Sequence, residues 1–145
     1  MVSLKQCKLD NPTAVIGELA KRLQAEYGDE VLSVFGDVLE EYGYQSGLKL
    51  SRKMTNVSFP ERITAWLESF IKTGKSEIVE MKADLVTMRG YECPLNLEGS
   101  NRKLCEALMK IDEGLVSALA EKEVILKIEK SLACGDEHCL VTFSK

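Results

Sequence analysis

The amino-acid sequence predicts an α+β domain in which helices pack on a mostly antiparallel four-stranded sheet, in the order ααα-ββ-α-ββ. Three observations predict it. Apolar residues recur at helical spacing as far as Gly74, and the period then shortens to that of strands over residues 76–89. After one more helical stretch it shortens again over residues 124–143. The 145 residues read as a single domain, 1–145, a length at which roughly two-thirds of the unfolded surface is buried on folding.

The elements follow in order. Asn11 before Pro12 is a helix start, an N-cap with proline at the first helical position. Val15, Ile16, Leu19 and Leu23 form its stripe until Gly28. Asp29 is placed to cap a second helix with the stripe Leu32, Phe35, Leu39 and Tyr42, flanked by Val31 and Val38. Gly43 and Gly47, four apart on that segment, either weaken the helix or let another element approach its backbone. Ser58 with Glu61 three residues on is a capping box, opening a helix that carries Ile63, Trp66, Leu67, Phe70 and Ile71 to Gly74. Residues 76–81 and 83–89 read as two strands joined near Lys82 and Ala83. The loop after Cys93 and Pro94 runs through Gly99. Ser100 or Asn101 then starts a helix with Leu104, Leu108, Ile111, Leu115 and Leu119 inward. Val124, Leu126 and Ile128 mark one face of a third strand, and Cys139, Val141 and Phe143 one face of a fourth.

A net charge of −4 and a pI near 5.2 argue against a nucleic-acid partner and against electrostatic docking on a membrane. The first residues show no apolar stretch after their first charges, and no run is long enough to span a bilayer, so a cytoplasmic location is expected. There thiols stay reduced, and the 5 cysteines are core residues, ligands or reactive thiols rather than a disulfide framework.

Two of those cysteines and the only histidine fall in the hexapeptide CGDEHC, Cys134 to Cys139. A C-x4-C pair across a Gly-Asp turn can supply two zinc ligands, with Cys93 and Cys105 as the second pair and His138 as a substitute. The alternative is small, reduced, packed thiols. A Cys–His dyad has only His138 to draw on, and strand alternation turns Cys139 to the opposite face. Cys105 and Asp112, seven apart, share one face of the fourth helix, where Asp112 either borders the core or lines a pocket.

The stretch from Glu92 to Phe143 resembles the closing half of the 4-vinyl reductase-type small-molecule-binding domains, and equally the aminothiazoline-carboxylate hydrolase-like family. The shared features are Cys93-Pro94, Cys105 opening a helix with Gly114 in its middle, the strand near residues 124–129, and the turn Gly135-Asp136-Glu137-His138-Cys139. The resemblance implies the fold of the nitric-oxide-sensor and transport-complex ligand-binding superfamily, with an internal apolar pocket and a homodimeric state. In phenol-sensing members zinc is held by a helix cysteine, a glutamate and two further cysteines. Carried over, Cys105 and Cys139 match, the middle cysteine falls on Ser131 and the glutamate on Ile128. The hydrolase-like family instead points to Cys93, Cys105 and Asp112.

The expected function is therefore the binding or sensing of a small apolar or aromatic molecule. Phe35, Trp66, Phe70, Leu108 and Leu115 are expected to line the pocket, and zinc to be held among Cys93, Cys105, Cys134, Cys139 and His138. The alternative is a cysteine- or metal-dependent hydrolase of a small heterocycle, which needs a thiol of lowered pKa.

Overall fold

The computed structural model describes residues 9–145; residues 1–8, including Cys7 and most of the stretch read for a signal segment, lie outside it. Helices α1 (Pro12–Tyr27), α2 (Val31–Ser51), α3 (Phe59–Trp66) and α4 (Glu68–Lys72) precede a hairpin of β1 (Ser76–Lys82) and β2 (Leu85–Gly90). Helices α5 (Arg102–Leu108) and α6 (Lys110–Ala120), then β3 (Ile125–Lys130) and β4 (Cys139–Ser144), complete the chain. The third and fourth expected helices are each broken by one residue, Leu67 and Met109, so the order ααα-ββ-α-ββ holds. Among the described residues no helix is long and apolar enough to cross a membrane.

The sheet order is β1-β2-β4-β3, and every neighbouring pair is antiparallel. Register places Val86, Phe143 and Leu126 in one row of the inner face and Met88, Val141 and Ile128 in the next, with Gly90 beside Cys139 at the end. The opposite face carries Thr87 and Thr142, whose hydroxyls pair at 3.0 Å, together with Arg89, Lys127 and the apolar Leu85, Leu140 and Ile125. The helices thus cover one face, and the core lies between them and the sheet.

Local chemistry places most boundaries. The Asn11 side chain accepts from Ala14 N and that of Asn101 from Leu104 N. Ser58 and Glu61 form the reciprocal capping box. Asp29 caps nothing: it pairs with Lys103 at 2.9 Å and accepts from Gln24, and α2 begins without a side-chain cap. The β1–β2 turn is Ala83-Asp84, one residue later than expected.

The largest departure is in which faces are buried. On α1 the buried residues are Ala14, Gly17 and Ala20, while Val15 and Leu19 are exposed. On α2 they are Leu32, Gly36, Leu39, Gly43 and Gly47, while Val38 and Tyr42 are exposed. Backbone proximity is the cause. A Cβ on Gly17 would overlap the Leu95 carbonyl, one on Gly43 the Ile111 carbonyl, one on Gly47 the Leu115 carbonyl, and one on Gly114 the Glu40 carbonyl. Alpha-helices α2 and α6 therefore cross at backbone contact, and small residues must face the crossing.

Candidate functional site

Two places carry chemistry. The first gathers the cysteines around the turn between β3 and β4. Ser131 is buried at 1% exposure; its hydroxyl donates to Cys105 Sγ at 3.2 Å and accepts from Ala133 N at 3.1 Å. The next residue, Leu132, donates its N–H to Cys139 Sγ at 3.4 Å, so the two thiols flank one dipeptide. Asp136 accepts from Ser131 N at 2.8 Å, and Gly135 takes φ 87, a left-handed conformation that glycine adopts without strain. The Gly-Asp pair of CGDEHC is therefore the closure of this turn. Cys93 lies half-buried in the loop after β2, its N–H on Glu98 Oε1 at 3.1 Å. Cys134 is exposed, and the His138 ring lies tilted on Tyr91 at 6.5 Å.

Burial pushes the thiols of Cys93 and Cys139 up and that of Cys105 up to about 11. Among the described residues no three His, Cys, Asp or Glu side chains are arranged to hold a metal ion. Where the resemblance calls for a middle cysteine, Ser131 stands and hydrogen-bonds Cys105 instead. The expected donors Cys93, Cys105, Cys134, Cys139 and His138 are thus not gathered into a metal-binding group among the described residues.

The second place is the layer between α5–α6 and the sheet. At about 100° per residue, Cys105, Leu108, Asp112, Val116 and Leu119 project on one side, Met109 between the helices keeping near-helical angles. The α6 backbone meets α2 at Gly114 and at the carbonyls of Ile111 and Leu115. Cys105, Leu108, Val116 and Leu119 are buried, and Val116 and Leu119 join Val86, Val141 and Phe143 of the sheet in one cluster. Asp112 thus interrupts a stripe of buried apolar residues. Desolvation alone pushes its carboxyl up to about 7.

The five residues expected to line a pocket divide between two clusters. Phe35 and Leu108 belong with Cys105 and Ile128, whereas Trp66, Phe70 and Leu115 belong with Phe59 and Phe143. Trp66 stands edge-on to Phe143, with ring centroids 6.0 Å apart. Met109 and Leu126 pack against both clusters and mark the seam between them. An open groove bordered by Glu61, Thr64, Ala65, Glu68 and Met81 lies elsewhere, between α3–α4 and β1; its acids are engaged, Glu61 in the capping box and Glu68 with Lys72. Sequence reasoning missed the role of Ser131, for which the only available signal was its place in the cysteine register.

No protein-family model matches the sequence, and no curated protein matches it. Solved structures share the fold. The phenol-responsive sensory domain of the transcription activator PoxR with phenol superposes at TM-score 0.68 and 14% identity, over 99% of this chain and 83% of that one. A trafficking protein particle complex subunit 3 from Naegleria fowleri covalently bound to palmitic acid does so at 0.56 and 16%, over 91% of each chain. The chain thus has an α+β fold of the kind found in a small-molecule-sensing domain.

Proposed function

We propose that the protein binds a small, mainly apolar molecule between its helices and the inner face of its sheet, and acts as a sensor or carrier of that molecule. The observation that carries the reading is the fold shared, over nearly the whole chain, with a sensory domain solved with phenol. The hydrolase alternative, which needs a thiol of lowered pKa among Cys93, Cys105 and Cys134, draws no comparable support: burial raises the thiols of Cys93 and Cys105. Free thiols fit a reducing, cytoplasmic setting. Phenol or a small hydrocarbon at about 100 times its Kd should stabilise the fold by about 2.7 kcal/mol, a melting-temperature rise of roughly 5–10 °C. If no such compound raises the melting temperature and none is recovered by organic extraction of the purified protein, the reading fails.

The same reading includes a homodimer, and the surface that fits it is the outer face of α2. Val34, Val38 and Tyr42 recur every four residues along α2 at 61–63% exposure. Laid antiparallel on a second copy about Val38, the stripe complements itself: Tyr42 meets Val34. Light scattering should show a dimer, and Val38→Glu should give a folded monomer. A native monomer, or an unchanged dimer in the variant, removes this interface.

A further inference from the structure

The inner face of the sheet is closed. Val86 and Phe143 on the strands, and Leu104, Leu108, Val116 and Leu119 on the helices over them, are all at 0% exposure. A molecule bound between these layers enters only if one element gives way.

The helical stretch after Asn101 is not one rigid rod. It breaks at Met109, whose φ and ψ are −69° and −6°, and the Asp112 N–H turns to the Met109 carbonyl, three residues back rather than four. The break coincides with the division of the core. The buried residues of α5, Leu104, Cys105 and Leu108, belong to the cluster of Leu95, Leu97 and Ile128. On α6, Leu115, Val116 and Leu119 belong to the cluster of Phe59 and Phe143.

The two halves are also held differently. Backbone contact locks α6 onto α2 at Gly43, Gly47 and Gly114, whereas a Cβ on Gly36, where α2 passes α5, would keep 3.4 Å from the Ala107 carbonyl. On its inner side α5 closes onto the end of β3: Arg102 donates to the Ile128 carbonyl at 2.7 Å, and Cys105 accepts from Ser131. Its start is fastened from outside by exposed polar groups. Asn101 and Gln24 exchange side-chain hydrogen bonds at 2.9 and 3.2 Å, and Lys103 pairs with Asp29 at 2.9 Å. Exposed pairs of this kind hold weakly and release at little cost.

We infer that α5 is the lid of the small-molecule site, hinged at Met109, seated on the end of β3 and latched to the α1–α2 corner through Gln24–Asn101 and Asp29–Lys103. Opening it uncovers the sheet beside Ile128 while α6 stays in place. This rests on the small-molecule reading and adds to it the route by which the ligand enters.

Hydrogen exchange read by mass spectrometry on the full chain, alone and with phenol, tests the lid. Without phenol, the amides of residues 105–109 should exchange at least tenfold faster than those of residues 114–119. Gln24→Ala combined with Lys103→Ala should speed the first group a further three- to tenfold and leave the second within about twofold. Phenol at about 100 times its Kd should slow the first group at least tenfold. Equal rates in the two segments, or no response of residues 105–109 to the double variant, overturns the lid whatever phenol does. Bound phenol that leaves residues 105–109 unprotected overturns the lid and keeps the binding reading. Segments that differ as expected in a protein that binds no phenol overturn the binding reading, and with it the lid as an entrance.

Discussion

Gly43→Ala is expected to cost about 3–5 kcal/mol of stability, a large share of the roughly 5–15 kcal/mol that a domain of this size has. The reason is backbone, not side chain. An added methyl at Gly43 overlaps the Ile111 carbonyl oxygen and lies 2.8 Å from its carbon, so α6 itself has to move. It cannot move alone. Four residues along α2, a Cβ on Gly47 would meet the Leu115 carbonyl and stand 2.7 Å from the Ala118 methyl, and Gly114 on α6 returns the contact against Glu40. The three glycines interlock, so relieving one contact tightens another. Helix propensity acts the other way: alanine for glycine in a helix interior gains up to about 1 kcal/mol, which the clash outweighs. Gly36→Ala is the internal control on the same helix. Its Cβ would sit 3.4 Å from Ala107 O and from Lys110 Cγ, contacts that need little movement, and the change should be neutral within about 1 kcal/mol. Urea unfolding of the two variants decides the matter, and equal midpoints would show that the helix crossing tolerates a methyl group.

The glycines also show where sequence reading works and where it fails. Capping chemistry is local, and Asn11, Ser58 with Glu61, and Asn101 do what their spacing indicates. Strand alternation is local too, and places Val141 and Phe143 on the buried face. Helix faces are not local. The rule that large apolar residues turn inward picks Val15 and Leu19 on α1 and Tyr42 on α2, whereas the structure buries Ala14, Gly17, Gly43 and Gly47. Where two backbones touch there is no room for a large side chain, so the apolar residues are displaced to the open side. Gly43 and Gly47 carried that information in their four-residue spacing, but the partner helix that decides between kink and contact lies about seventy residues away in the chain. The breaks at Leu67 and Met109 had no glycine or proline to announce them. The candidate site was legible in part. Asp112 stood out because a carboxylate interrupts an apolar stripe, whereas Phe35 and Trp66, chosen for their size, proved to belong to separate clusters.

Asp112 also makes the stability of the protein depend on pH, with a sign opposite to that of most acidic residues. Burial raises its folded pKa from about 3.8 to about 7. Below pH 4 the carboxyl is protonated in both states and costs little. Between pH 4 and 7 the unfolded chain ionises while the folded protein holds the proton, so folding becomes progressively less favourable. Above pH 7 both states are charged and the penalty is constant. At about 1.4 kcal/mol per pH unit the full penalty reaches roughly 4 kcal/mol, and partial access to solvent reduces it to about 2–4 kcal/mol. The carboxyls of Glu18, Asp29 and Glu68, each held low by a neighbouring lysine, contribute the reverse slope, but they are common to native and variant protein and cancel in a difference. Asp112→Leu should therefore be more stable than the native protein at pH 8, with the advantage shrinking by about 2–4 kcal/mol as the pH is lowered to 4. Urea unfolding of both proteins across that range measures it. A difference that does not change with pH would mean that Asp112 is solvated in the folded protein.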